Sequence, residues 1–153
     1  MKSSIGIAIL TLAFSLASAP AQERKISRSK LPPAVEKTVA AESAGATIKG
    51  FASEIEHGQK FYEASLIVNG HTKDILIDKH GNIVEVEEQV TLESLSQSVQ
   101  DGLKAAAGSG TIENIESITK KGHLVAYEAQ LKSGKKRREI QVGPDGQKLK
   151  QPE

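Results

Sequence analysis

The stretch FYEASLIVNGHTKDILIDKHGN, residues 61–82, reads as strand, tight turn, strand, tight turn. Its centre is Asn69-Gly70. A two-residue type I′ turn needs positive φ at both central positions, which asparagine and glycine tolerate best. With that pair in the loop, Val68 faces His71, Ala64 faces Ile75 and Tyr62 faces Ile77. Side chains alternate across a strand, so these residues share one face. The same plan returns as Tyr127-Glu128-Ala129-Gln130-Leu131, a loop, Glu139-Ile140-Gln141-Val142, then Pro144-Asp145-Gly146.

Upstream, residues 31–44 read as a helix. Leu31, Val35 and Val39 form one apolar stripe, Pro32 and Pro33 suit a first turn, and Gly45 is a stop. Residues 46–56 read as a strand in which Gly50 marks a bulge. Residues 83–86 read as a short strand or an extended, acidic exit. A second helix follows, with Thr91 as N-cap, a Val90/Leu95 staple and a stripe of Leu92, Leu95, Val99, Leu103 and Ala106. Val35/Val99, Val39/Leu103, Phe51/Ile115 and Gly58/Gly122 differ by 64 positions. After one inserted residue, Tyr62/Tyr127, Ala64/Ala129, Leu66/Leu131, Ile75/Ile140 and Gly81/Gly146 differ by 65. The expectation is an α+β fold of two α-β-β-β repeats, residues 31–89 and 90–153, with helices packed on one face of a curved antiparallel sheet. The inserted residue predicts a four-residue loop at 133–136 that keeps Ala129 opposite Ile140. The shorter Ser133-Gly134 loop would bury cations.

The opening LPPAV, the Tyr-Glu-Ala-x-Leu strand and Ile-x-Ile-Asp-x-x-Gly-x-Ile together resemble the PepSY domain. The match is to the PepSY-like group that includes β-lactamase inhibitor-like proteins. It covers nearly all of the chain after residue 30. In the second copy Gly143 stands where Asp78 does, and LPPAV is absent. The resemblance implies tandem units, export and non-catalytic binding, with inhibition of peptidases or other hydrolases as the usual role.

Residues 1–21 read as a cleavable signal peptide. Lys2 is the positive start, residues 5–17 are a continuous apolar run, and the small residues ending at Ala21 suit a cleavage site. The apolar run is shorter than the roughly 20 residues of a membrane span, so no stable span is expected after cleavage. Residues 22–30 are polar and read as a flexible leader. The expected location is the periplasm or outside the cell. The chain has no cysteine, which excludes disulfides, thiolate metal sites and a cysteine nucleophile. A formal charge of +1 on 153 residues gives no general attraction to nucleic acid.

No catalytic constellation is evident, and no cofactor or metal is expected. His57, His71, His80 and His123 fall at turns or strand ends. His71 and His80 are separated by about 30 Å of extended strand, too far to share an ion. Asp74, Asp78 and Glu63 lack the partners of an acid–base site. Residues 78–82 lack the repeated oxygens of a calcium loop. The basic run KSGKKRR, residues 132–138, reads as a solvated hairpin tip.

The expected function is an exported protein-binding module, an inhibitor of a hydrolase being one form. The alternative is a structural or sensory accessory protein holding a cell-envelope component. Phe61, Ile67 and Leu76 fall on the sheet face opposite the helices, among Glu63, Ser65, Thr72, Asp74 and Asp78. Apolar residues ringed by polar ones mark an interaction surface. The expected partner site is therefore Phe61, Ile67 and Leu76, with Lys136 and Arg137 as a charged rim and an exported or envelope protein as partner.

Overall fold

The computed structural model describes residues 24–56 and 58–153. The signal-peptide reading of residues 1–21 and the reading of His57 lie outside the described residues. Eight strands follow one another in chain order: β1 (Arg24–Ile26), β2 (Thr47–Glu56), β3 (Gln59–Val68), β4 (His71–Asp78), β5 (Ile83–Gln89), β6 (Thr111–Lys120), β7 (His123–Ser133) and β8 (Lys136–Val142). All pair antiparallel with their sequence neighbours, so the sheet is a meander from β1 to β8. Two helices interrupt it, α1 (Pro33–Glu42) after β1 and α2 (Gln97–Ala107) after β5.

This corrects the expected architecture of two α-β-β-β repeats with helices packed on one face of a curved sheet. There is one eight-stranded sheet, and the helices are short attachments of 10 and 11 residues. The strands do not divide into two sets of three, because β1 precedes α1 and β5 is a full strand. Residues 83–89 do more than exit the hairpin. They pair with β4 on one side and β6 on the other, so neither strand leaves its backbone groups unmatched at an edge. The stretch expected to be a loose leader contributes Arg24–Ile26, paired with Phe51, Ala52 and Ser53 of β2.

The central hairpin has the register read from sequence. Val68 pairs with His71, Ala64 with Ile75 and Tyr62 with Ile77. Asn69 has φ 52° and Gly70 has φ 88°, as a type I′ loop requires. The last hairpin also keeps Ala129 opposite Ile140 and Tyr127 opposite Val142. Its loop is shorter than expected, however. Ser133 pairs with Lys136, leaving only Gly134 and Lys135 in the turn, with Gly134 at φ 62°. A glycine at the first central position is the requirement of a type II′ turn, so two residues suffice without shifting the register.

Two apolar clusters lie on one side of the sheet. Leu31, Val35 and Val39 join Tyr62, Ala64, Leu66, Ile75 and Ile77. Leu95, Val99, Leu103 and Ala107 join Ile115, Ala129, Leu131, Ile140 and Val142. Helix α2 starts later than expected. Leu92–Ser94 form a 3-10 turn, and Ser96 rather than Thr91 caps the helix, accepting from the Val99 amide at 3.4 Å.

Two turns lock helices to strands. The Asp78 carboxylate accepts the amides of His80 (2.8 Å) and Asn82 (2.9 Å), folding the β4–β5 turn. That turn presses Gly81 onto α1, and Thr38 Oγ1 donates to the Gly81 carbonyl at 2.6 Å. A Cβ on Gly81 would sit 2.7 Å from the Ala34 carbonyl oxygen. After β8, Gly146 is pressed against α2 in the same way. A Cβ there would overlap the Ser98 carbonyl, and one on Gly102 would overlap the Gly146 carbonyl. The chain then returns along β8, with the Leu149 amide donating to the Gln141 carbonyl. Among the described residues no helix is long and apolar enough to cross a membrane.

Candidate functional site

The side of the sheet away from the two clusters is the open face. Alternation and register place Glu54 of β2, Phe61, Glu63 and Ile67 of β3, Asp74 and Leu76 of β4, and Glu85 and Glu87 of β5 on it. A bulge between Leu76 and Ile77 in the β4–β5 pairing keeps Glu85 opposite Leu76 and Glu87 opposite Asp74. Across the junction with β6, Glu85 faces Lys120 and Glu87 faces Ile118. The face continues over β7 with Ala126 and Glu128.

These strands form an open groove of about 280 Å³. Its walls are Glu54, Glu56 and Glu63 on one side and Asp74, Glu85 and Glu87 on the other. Leu76 lies among them, Lys120 is the single cation of the lining among the described residues, and Glu153 reaches it from the C-terminal tail. The Glu153 amide donates to Gln141 Oε1 at 2.8 Å, which draws the tail across from β8. Lys120 Nζ lies 3.7 Å from Glu85. Beyond the groove lining, the same face includes Ala52, Ile118 and Ala126, which are 3%, 1% and 0% exposed.

The crowding of carboxylates has an electrostatic cost. Burial, together with the charges of Glu85, Glu116 and Glu128, pushes the Glu87 carboxyl up to about 8. Burial also raises Glu128, against a hydrogen bond from Gln141 Nε2 at 2.8 Å that favours its charged form. Among the described residues no three of His, Cys, Asp and Glu converge as a metal ion needs. His71, His80 and His123 are exposed at strand ends and turns. The arrangement can bind through charge, with Leu76 as its apolar contact.

The structure distributes the expected partner-site residues unevenly. Phe61 and Leu76 flank Glu63 and are half-buried. Ile67 shares their face but lies six residues from Phe61, about 20 Å along the strand. Lys136 and Arg137 belong to β8, five strands from β3, about 24 Å across the sheet. Arg137 lines a separate hollow with Gln130 and Glu139, and its Nε lies 3.2 Å from Glu113. The groove itself is absent from the sequence reading. Its signal was the acidic run Glu85, Glu87 and Glu88, but placing two of them beside Asp74 requires knowing that β5 joins the sheet.

No family model and no curated protein matches the chain. Solved structures do match. A DUF2874 family protein from Bacteroides ovatus is 20% identical with a TM-score of 0.61, over 78% of this chain and 85% of that one. A nominally periplasmic protein from Bacteroides eggerthii is 18% identical with a TM-score of 0.64, over 79% and 87%. A BLIP-like protein from Bacteroides fragilis is 16% identical with a TM-score of 0.56, over 76% and 81%. At these identities the likeness is one of fold.

Proposed function

We propose that this chain is an exported, non-catalytic protein-binding module that receives its partner on the open sheet face. The carrying observation is that face itself: a groove with Leu76 inside a ring of carboxylates, on the side away from both core clusters. An antiparallel sheet with one face packed and one solvated offers such a surface without disturbing its core. The signal-like residues 1–21 and a nominally periplasmic fold neighbour support export. The BLIP-like neighbour and the PepSY-like resemblance support binding, with inhibition of an exported hydrolase as the finer form.

The partner-facing set is Leu76 in the groove, Phe61 beside Glu54 on the same face, Ile67 farther along it, and Lys136 and Arg137 at the distant edge. The test is capture from an envelope extract by wild type, by Phe61→Ser and by a variant neutralised at Lys136 and Arg137, with thermal melts on each. Phe61→Ser should stay folded and lose its partner, and the neutralised variant should bind less salt-dependently. Unchanged capture by folded Phe61→Ser rejects this surface. The mass of protein recovered from the periplasm should correspond to a chain beginning at Gln22.

A further inference from the structure

Charge is segregated along this chain. Residues 45–90 carry eight carboxylates against four lysines, whereas residues 111–153 carry nine lysines and arginines against six carboxylates. Much of the first set gathers on the open face, where carboxylates outnumber the one described cation of the groove lining, Lys120, which lies beside Glu85. The second set is concentrated in the β7–β8 hairpin at the far edge of the sheet. Its cations are not equivalent. Lys132 and Arg137 lie 3.6 and 3.2 Å from Glu113. Arg138 donates to the carbonyls of Ala106 and Ala107, closing the end of α2. Lys135 and Lys136 remain exposed at the tip.

The hairpin is held by seven paired positions from Tyr127 to Ser133 and by the Arg138 contacts, so it cannot fold back into its own groove. A neighbouring molecule's hairpin has no such restriction. The groove, about 280 Å³, is small for an organic ligand but suits one or two side chains on a narrow support. A two-residue turn carrying Lys135 beside Lys136 is such a support. The long aliphatic stems of lysine can lie on Leu76 while the ammonium groups meet the carboxylates.

From this complementarity we infer that the open face takes the Lys135–Lys136 hairpin tip of a second copy of this chain, head to tail. The inference rests on the reading that the open face is a binding surface, and names one occupant for it. Such a contact joins unlike surfaces and does not close on itself, so assemblies lengthen with concentration. Occupancy of the groove by a copy would also compete with any other partner.

Sedimentation velocity on the mature chain tests this. Wild type at low salt should at least double its apparent mass as concentration rises. It should return to monomer at about 1 M salt, where charges are screened beyond roughly 3 Å. A tip variant, Lys135→Ser with Lys136→Ser, and a groove variant, Glu54→Lys with Asp74→Lys, should each be monomeric. Mixed together they should form a 1:1 dimer and nothing larger, because one supplies the only intact groove and the other the only intact tip. A wild type that stays monomeric overturns the inference, as does association that survives in the tip variant. So does a mixture that stays monomeric with both variants folded. If the groove variant does not fold, the exposed tip variant decides alone. A monomeric wild type that still shows Phe61-dependent capture removes the second copy and leaves the binding-module reading standing.

Discussion

The stretch β2–β5 with α1 and the stretch β6–β8 with α2 have similar interiors but different exteriors. In each, a helix contributes two branched apolar residues to a cluster with an alanine and a leucine of a long strand: Val35 and Val39 with Ala64 and Leu66, Val99 and Leu103 with Ala129 and Leu131. In each, a turn glycine with φ above 80° is driven into the helix backbone. The outer faces diverge. The first carries the acidic groove, and the second pairs Glu128 with Gln141 and Gln130 with Glu139. Interior positions answer to packing, which accepts few solutions. Open-face positions are less constrained by the core, and it is there that the two stretches differ in chemistry.

The turn contacts allow the hardest break. Gly146→Ala should cost roughly 3 kcal/mol or more, because the new Cβ overlaps helix backbone that cannot move aside and the positive φ is strained as well. Gly81→Ala meets the Ala34 carbonyl less severely and should cost about 1–3 kcal/mol. Urea denaturation of both variants orders them, and a larger loss at Gly81 would reverse the comparison.

A gentler probe separates the exteriors. Glu87 binds its proton more tightly folded than unfolded. The stability it contributes is therefore complete below about pH 4.5 and is lost as pH rises through about 8. Glu87→Gln should be flatter across that window. Its advantage over wild type should grow between about pH 5 and pH 9 by roughly 1–2 kcal/mol, after allowance for partial solvent screening. Denaturation at both pH values measures it, and parallel curves would show that the groove does not strain this carboxylate.

The smallest effect concerns the start of α2. Ser96→Ala should cost about 0.5–1 kcal/mol, at the low end for a cap because its bond is long, and Thr91→Ala should cost less. The reverse order would return the cap to Thr91.

These elements differ in how far they could be read from sequence. Asn69-Gly70 made the central register legible, since the turn's φ requirement fixes every pair outward from it. The apolar stripes Val35/Val39 and Val99/Leu103 were legible through helical spacing. Strand β5 was legible only in part, as a short strand or an extended exit over 83–86, because Glu85, Glu87 and Glu88 suppress the apolar signal of a strand that is paired on both sides. Strand β1 was too short to show a period. Thr91 and Ser96 are equally good caps by composition, and a 3-10 turn between them decided the matter. The groove was the least legible feature. It depends on sheet pairing and on a tail that carries Glu153 into the same groove lining as Glu54, residues far apart in the chain.

The sheet's spatial order is also its order of synthesis. Every strand from β2 onward finds the partner before it already made, so no strand waits for a distant segment and no loop must be threaded. Topologies built from sequence-local pairings search less conformational space and tend to fold faster than those that join chain ends. A chain emerging from one end could therefore lay down its sheet strand by strand, with β8 and its basic hairpin as the last piece added and the last edge to be sealed.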